Sequence, residues 1–101
     1  MRREEHLLQC LQEEAAELIQ AASKINRFGL RDFNPETGEN NEDKFIAEAH
    51  DLIAVLQMVN DEFHLGIGET WKSELAIEDK KKKVNKYIEY ARERGAVDAD
   101  S

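Results

Sequence analysis

At 101 residues and 11.6 kDa the chain has the size of one domain. It is 41% hydrophobic and 36% charged, with a net charge of −8 and a pI near 4.9. That balance excludes a surface that tracks nucleic acid or anionic lipid, since both need net positive charge. It leaves a small phosphorylated ligand open, provided a cation carries the opposing charge. A chain of this size buries about 60–70% of its unfolded surface, so a partner or a second copy is expected to complete the core. The lone cysteine, Cys10, has no intramolecular disulfide partner, which fits a reducing cytoplasm. Met1–His6 lead into an amphipathic pattern rather than an apolar targeting segment, and no apolar run approaches the ~20 residues of a membrane span.

From Arg3 to Phe28 there is no Gly or Pro, and Leu7, Leu8, Leu11, Ala15, Leu18, Ile19, Ala22 and Ile25 recur at three- and four-residue steps. At about 100° per residue they fall in an arc about 120° wide, predicting a helix that Gly29 ends. Gly29 to Asn41 has no periodicity and contains Pro35 and Gly38, so it reads as a loop, longer than most helix–helix connections. Asn41 is the expected N-cap of a second helix, from about Glu42 to His64, with the stripe Phe45, Ala49, Leu52, Ile53, Leu56, Val59 and Phe63. Gly66 and Gly68 break it. Thr70 or Ser73 then caps a third helix carrying Ile77, Val84, Tyr87, Ile88 and Ala91 on one face, stopped by Gly95. The expected fold is all-α: one domain made of a helical hairpin plus a C-terminal helix, completing a four-helix-type bundle by oligomerisation.

Two acidic motifs carry the chemistry. The first helix contains Glu13-Glu14-Ala15-Ala16-Glu17 and the second Glu48-Ala49-His50-Asp51. Glu14 and Glu17 are three residues apart, as are Glu48 and Asp51, so each pair occupies adjacent turns of one helix face. Each pair borders an apolar stripe, whereas Glu13 points away from it. An antiparallel hairpin would gather the four carboxylates at the edge of the seam, where their mutual repulsion calls for a cation. All-oxygen ligands suit Mg²⁺ or Mn²⁺ better than zinc. A di-iron bundle needs Glu-x-x-His, but the residues three before His6, His50 and His64 are Arg3, Ala47 and Asp61. The bland alternative is that acidic pairs, common among 22 acidic residues, mark a solvated face. Each motif alone favours that reading; the two together, on adjacent helices, favour a metal.

The order EEAAE then EAHD resembles the E-E-x-x-E … E-x-x-D signature of the all-α nucleoside triphosphate pyrophosphohydrolases. These include MazG-like proteins, dimeric dUTPases, dCTP pyrophosphatases and phosphoribosyl-ATP pyrophosphatase. The likeness covers about residues 7 to 65, and Glu78–Gly95 more loosely resembles the last helix of small phage-type members. The 31 positions from Glu17 to Glu48 make a longer linker than is usual there. The resemblance implies that Glu14, Glu17, Glu48 and Asp51 hold Mg²⁺ (or Mn²⁺) on a nucleoside triphosphate. It further implies water attack at the α-phosphorus with Glu14 as base, and a homodimer or larger homo-oligomer. Lys24 is the best phosphate ligand, with Arg27 second; solvent exposure is the plainer reading of both. The loop residues Asn34, Asn40 and Asn41 read as turn and capping groups before base or sugar contacts. Lys80–Lys83 lie among acidic residues and read as a solvated face. The competing functional class is a non-catalytic helical binding or regulatory module, which has no need of an intact acidic quartet.

Overall fold

The computed structural model describes residues 1–100 and contains three helices: α1 (Arg3–Phe28), α2 (Asn41–Phe63) and α3 (Trp71–Glu93). The fold is all-α, and the only β pairing among the described residues is an isolated antiparallel bridge between Phe33 and Asn40. The chain divides into two compact units, the first spanning Met1–Leu65 and the second beginning at Gly66.

The first unit is an antiparallel hairpin. Glu4 and Glu5 sit in the first turn of α1 and Arg27 in its last, as the helix dipole favours. Gly29, at φ 96°, turns the chain and donates its N–H to the Ile25 carbonyl (2.8 Å). At one end of the hairpin Arg3 pairs with Glu62 at 3.1 Å; at the other, Arg31 pairs with Glu42.

The seam is narrower than the predicted arc. On α1, Leu7 and Ala21 are buried and Leu11, Glu14, Leu18 and Ile25 half-buried, a regular four–three alternation. On α2, Val59 is buried and Phe45, Leu52, Val55 and Leu56 are half-buried. Leu8, Ile19 and Ile53, placed in the stripes by periodicity, are exposed, Ile19 at 69% and Ile53 at 52%. The reason is geometric: one neighbouring helix covers a strip about as wide as a coiled-coil seam, not a 120° arc. Helical geometry puts Leu8, Ile19 and Ile53 together on the side of the hairpin opposite Glu17.

The loop is closed by its own backbone. Asn34 and Glu39 are bonded N–H to carbonyl at 2.9 Å, Gly38 donates to Asn34 (2.7 Å), and the Asn34 side chain accepts from Glu36 N–H (2.8 Å). Gly38 supplies the φ of 78° that this turn requires. The N-cap of α2 is Asn40, not Asn41: Asn40 Oδ1 accepts from Asp43 N–H at 2.8 Å. Asn41 instead donates through Nδ2 to the Gly29 carbonyl (2.9 Å), tying the end of α1 to the start of α2. Two consecutive asparagines offer the same capping chemistry, and this second bond decides which one caps. Asn40→Ala is accordingly expected to cost about 1 kcal/mol in urea unfolding through the lost cap.

In the second unit, Thr70 caps α3 by accepting from Ser73 N–H at 3.3 Å, and Ser73 Oγ donates to the Gly66 carbonyl (3.4 Å). α3 has no buried residue among those described; Leu75, Ile77, Val84, Tyr87 and Ile88 are all exposed. Arg94 and Gly95 end it, with Gly95 at φ 79°. Among the described residues, no helix is long and apolar enough to cross a membrane.

Candidate metal centre

The hairpin brings Glu14 and Glu17 of α1 and Glu48 of α2 into one cluster, each offering a carboxylate oxygen within 4.8 Å of the others. Their depths differ. Glu48 is only 4% exposed, Glu14 is half-buried and Glu17 exposed. Glu48 therefore lies in the seam rather than at its border. Asp51, one turn further along α2, is exposed and is not part of the cluster. Glu13 is exposed, as expected of a residue facing away from the stripe.

One cation of the chain already serves the cluster. Lys44, one turn before Glu48, places Nζ 2.8 Å from Glu48 Oε1. The Lys44 ammonium, and then a hydrogen bond shared with Glu17, hold the Glu48 carboxyl below its ordinary range, and Glu48 in turn raises the Lys44 pKa. Glu17 is pushed the other way, above its ordinary 4.5: when protonated it can donate to Glu48, and the Glu48 and Glu14 charges oppose its ionisation. With the cluster ionised no such donor exists, and Glu14 Oε2 and Glu48 Oε2 are buried without a hydrogen-bond partner among the described residues. Lys44 thus neutralises part of the cluster, while two buried acceptor atoms have no hydrogen-bond donor among the described residues.

Oxygens about 2.1 Å from one Mg²⁺ lie roughly 3–4.2 Å apart, so small side-chain rotations would close a set already within 4.8 Å around one ion. The donor set, carboxylate oxygen throughout, also fits a hard cation. Removing the repelled member tests this electrostatic account. Glu17→Gln is expected to raise the metal-free melting temperature once the pH exceeds the raised pKa of Glu17, where its ionised form opposes folding, and to lose that advantage on acidification through that pKa. Thermal unfolding across pH measures it.

A hollow of ≈ 300 Å³ opens on this side, lined by Glu17, Gln20, Ala21, Lys24, Lys44 and Glu48. Lys24, the expected phosphate ligand, stands in its wall two turns from Glu17, whereas Arg27 is absent from it. Arg27 lies over the Phe28 ring, 5.0 Å from the centroid, and borders a separate depression with Ile19, Gln20, Ser23 and Lys24. Two contacts escape a reading of the acidic motifs alone. Lys44 was legible as a lysine four residues before Glu48 on one helix. Cys10 Sγ meets His6 Nε2 at 3.6 Å across one turn.

Fold and site together define an all-α hairpin with an interhelical carboxylate trio. In comparisons with known proteins, no family model, curated protein or solved structure matches the chain.

Proposed function

We propose that the chain is a Mg²⁺-dependent hydrolase (Mn²⁺ serving as well) that converts a nucleoside or deoxynucleoside triphosphate to the monophosphate and pyrophosphate. The observation that carries this reading is the buried Glu48, converging with Glu14 and Glu17 and leaving two buried carboxylate oxygens without a partner. The resemblance of EEAAE and EAHD to the pyrophosphohydrolase signature supplies the reaction.

Glu14, Glu17 and Glu48 would hold the ion, with Asp51 joining from the next turn by side-chain rotation. A bound divalent cation would offset the triphosphate charge and polarise the α-phosphoryl group. Glu14, whose buried Oε2 has a free lone pair, is the proposed base. It orients a water and takes its proton as the water oxygen bonds to the α-phosphorus. The bridging P–O bond to the β-phosphate then breaks, and pyrophosphate leaves with the bond's electron pair. Lys24 steadies the β- and γ-phosphates from the wall of the hollow. Arg27, occupied over Phe28, has the weaker claim to a phosphate.

The proposed setting is the cytoplasmic nucleotide pool, consistent with a single free cysteine. A second copy is the proposed cover for the exposed Leu8, Ile19 and Ile53 side of the hairpin, giving a homodimer or higher homo-oligomer. That same exposed side favours the second reading, a helical binding or regulatory module without catalysis. A pyrophosphatase-coupled phosphate assay over NTPs and dNTPs, with and without Mg²⁺, separates them: turnover of at least one nucleotide is expected, and an inert wild type leaves the binding module standing.

A further inference from the structure

The loop between α1 and α2 borders a second, open hollow, of ≈ 370 Å³, which shares Lys24 with the acidic one. Its wall includes Phe28, the last residue of α1, and Phe33 in the loop, with Asp32, Asn34 and Glu36 around them. A phenylalanine gains from burial, yet Phe28 is 59% and Phe33 58% exposed. Both are nevertheless held in place. Arg27 backs the Phe28 ring at 5.0 Å, and Phe33 sits at the bridge to Asn40 inside a loop closed by Asn34, Gly38 and Glu39. The Arg31–Glu42 pair and the Asn41–Gly29 bond anchor that loop to both helices. Two exposed aromatic rings on a hydrogen-bonded frame, Phe28 with one face taken by Arg27, offer stacking surface to a flat ring.

Position gives this surface its meaning. Lys24 is common to both hollows, so a ligand with its phosphates near Lys24 on the acidic side extends toward Phe28 and Phe33 on the other. Asp32 and Glu36, when ionised, only accept hydrogen bonds. A ring edge facing both must donate; the exocyclic amino groups of adenine, guanine and cytosine each offer two N–H donors, against the single N3–H of uracil and thymine.

We propose that this loop pocket receives the nucleobase of the substrate, stacked on Phe28 and Phe33, and favours amino-bearing bases over uracil and thymine. The inference rests on the triphosphate reading above, and its test keeps the two separable. Calorimetric titration in Mg²⁺ compares α,β-methylene analogues of the deoxynucleoside triphosphates, which resist cleavage at the scissile position, with inorganic tripolyphosphate, which has no base. Phe28→Ala and Phe33→Ala are each expected to weaken analogue binding about tenfold, the scale of a lost base–aromatic stack, and to leave tripolyphosphate affinity unchanged. Phe33→Trp, which keeps a stacking face, is expected to retain analogue affinity, and the amino-bearing analogues are expected to bind more tightly than those of dUTP and dTTP. If tripolyphosphate binds the wild type but the alanine variants leave analogue affinity intact, or weaken both ligands equally, the base pocket is refuted and the triphosphate reading survives. Equal affinity for all bases refutes the proposed preference. If the wild type binds neither analogue nor tripolyphosphate, both readings fall.

Discussion

Glu48→Gln is expected to lower kcat/KM for the preferred nucleotide by at least about 10³-fold, because on the proposed function it removes a charged ligand from a preorganised phosphoryl-transfer site. Glutamine preserves the volume of a side chain that is only 4% exposed, so loss of packing does not explain the effect. It leaves an amide where Lys44 now meets a carboxylate at 2.8 Å, and where Glu14 and Glu17 would share a cation. Manganese binding, followed by electron paramagnetic resonance, is expected to weaken in parallel, while far-UV circular dichroism retains the helical signal. The control is Glu13→Gln: Glu13 belongs to the same acidic run but is exposed and outside the cluster. Its activity is expected to stay within about twofold of wild type, since it removes no contact with metal or transition state. Equal losses in the two variants would point to net charge, not to a site.

Mg²⁺ or Mn²⁺ is expected to raise the melting temperature substantially. An ion at 100 times its Kd adds about 2.7 kcal/mol to the folded state, which for a domain of this size is roughly 10–20 °C. The pH dependence has a definite sign. Glu17 titrates above 4.5 in the folded chain, so its protonated form favours folding at low pH and its ionised form opposes it at higher pH. The cation relieves that opposition, so the metal-induced shift is largest once Glu17 is ionised and fades on acidification through its raised pKa. Glu48 runs the other way: its folded pKa is lowered by Lys44, so its contribution to stability is present above 4.5 and lost as the pH falls through the lowered value. Scanning fluorimetry from acid to neutral pH, against NaCl of equal ionic strength, measures both trends. A shift no larger than that of NaCl would sink the metal assignment.

Much of this arrangement was legible in the order of residues. The bounds of α1 follow from an uninterrupted run between Arg3 and Gly29. The spacing of Glu14, Glu17 and Glu48 against apolar positions pointed to their convergence, because a helix period translates directly into a face. What periodicity does not contain is the partner's position. Leu8, Ile19 and Ile53 fit the stripes as well as their neighbours do, and only the packing of α1 on α2 leaves them outside the seam and draws Glu48 into it. The same limit applies to Asp51, whose spacing matches that of Glu17 but whose carboxylate stays outside the cluster. Phe28 and Phe33 could not be read as a pair, since they come to line one hollow through loop closure by Asn34, Gly38 and Glu39, where no repeating pattern exists.

The lysine beside Glu48 changes what the ion means for this molecule. A tethered ammonium 2.8 Å away favours the charged form of the deepest acid without any metal, so on the proposed function the hairpin would not need an ion to hold its two rods together. Occupancy would then follow the free Mg²⁺ concentration, and the ion would come and go with each nucleotide like a second substrate instead of a permanent rivet.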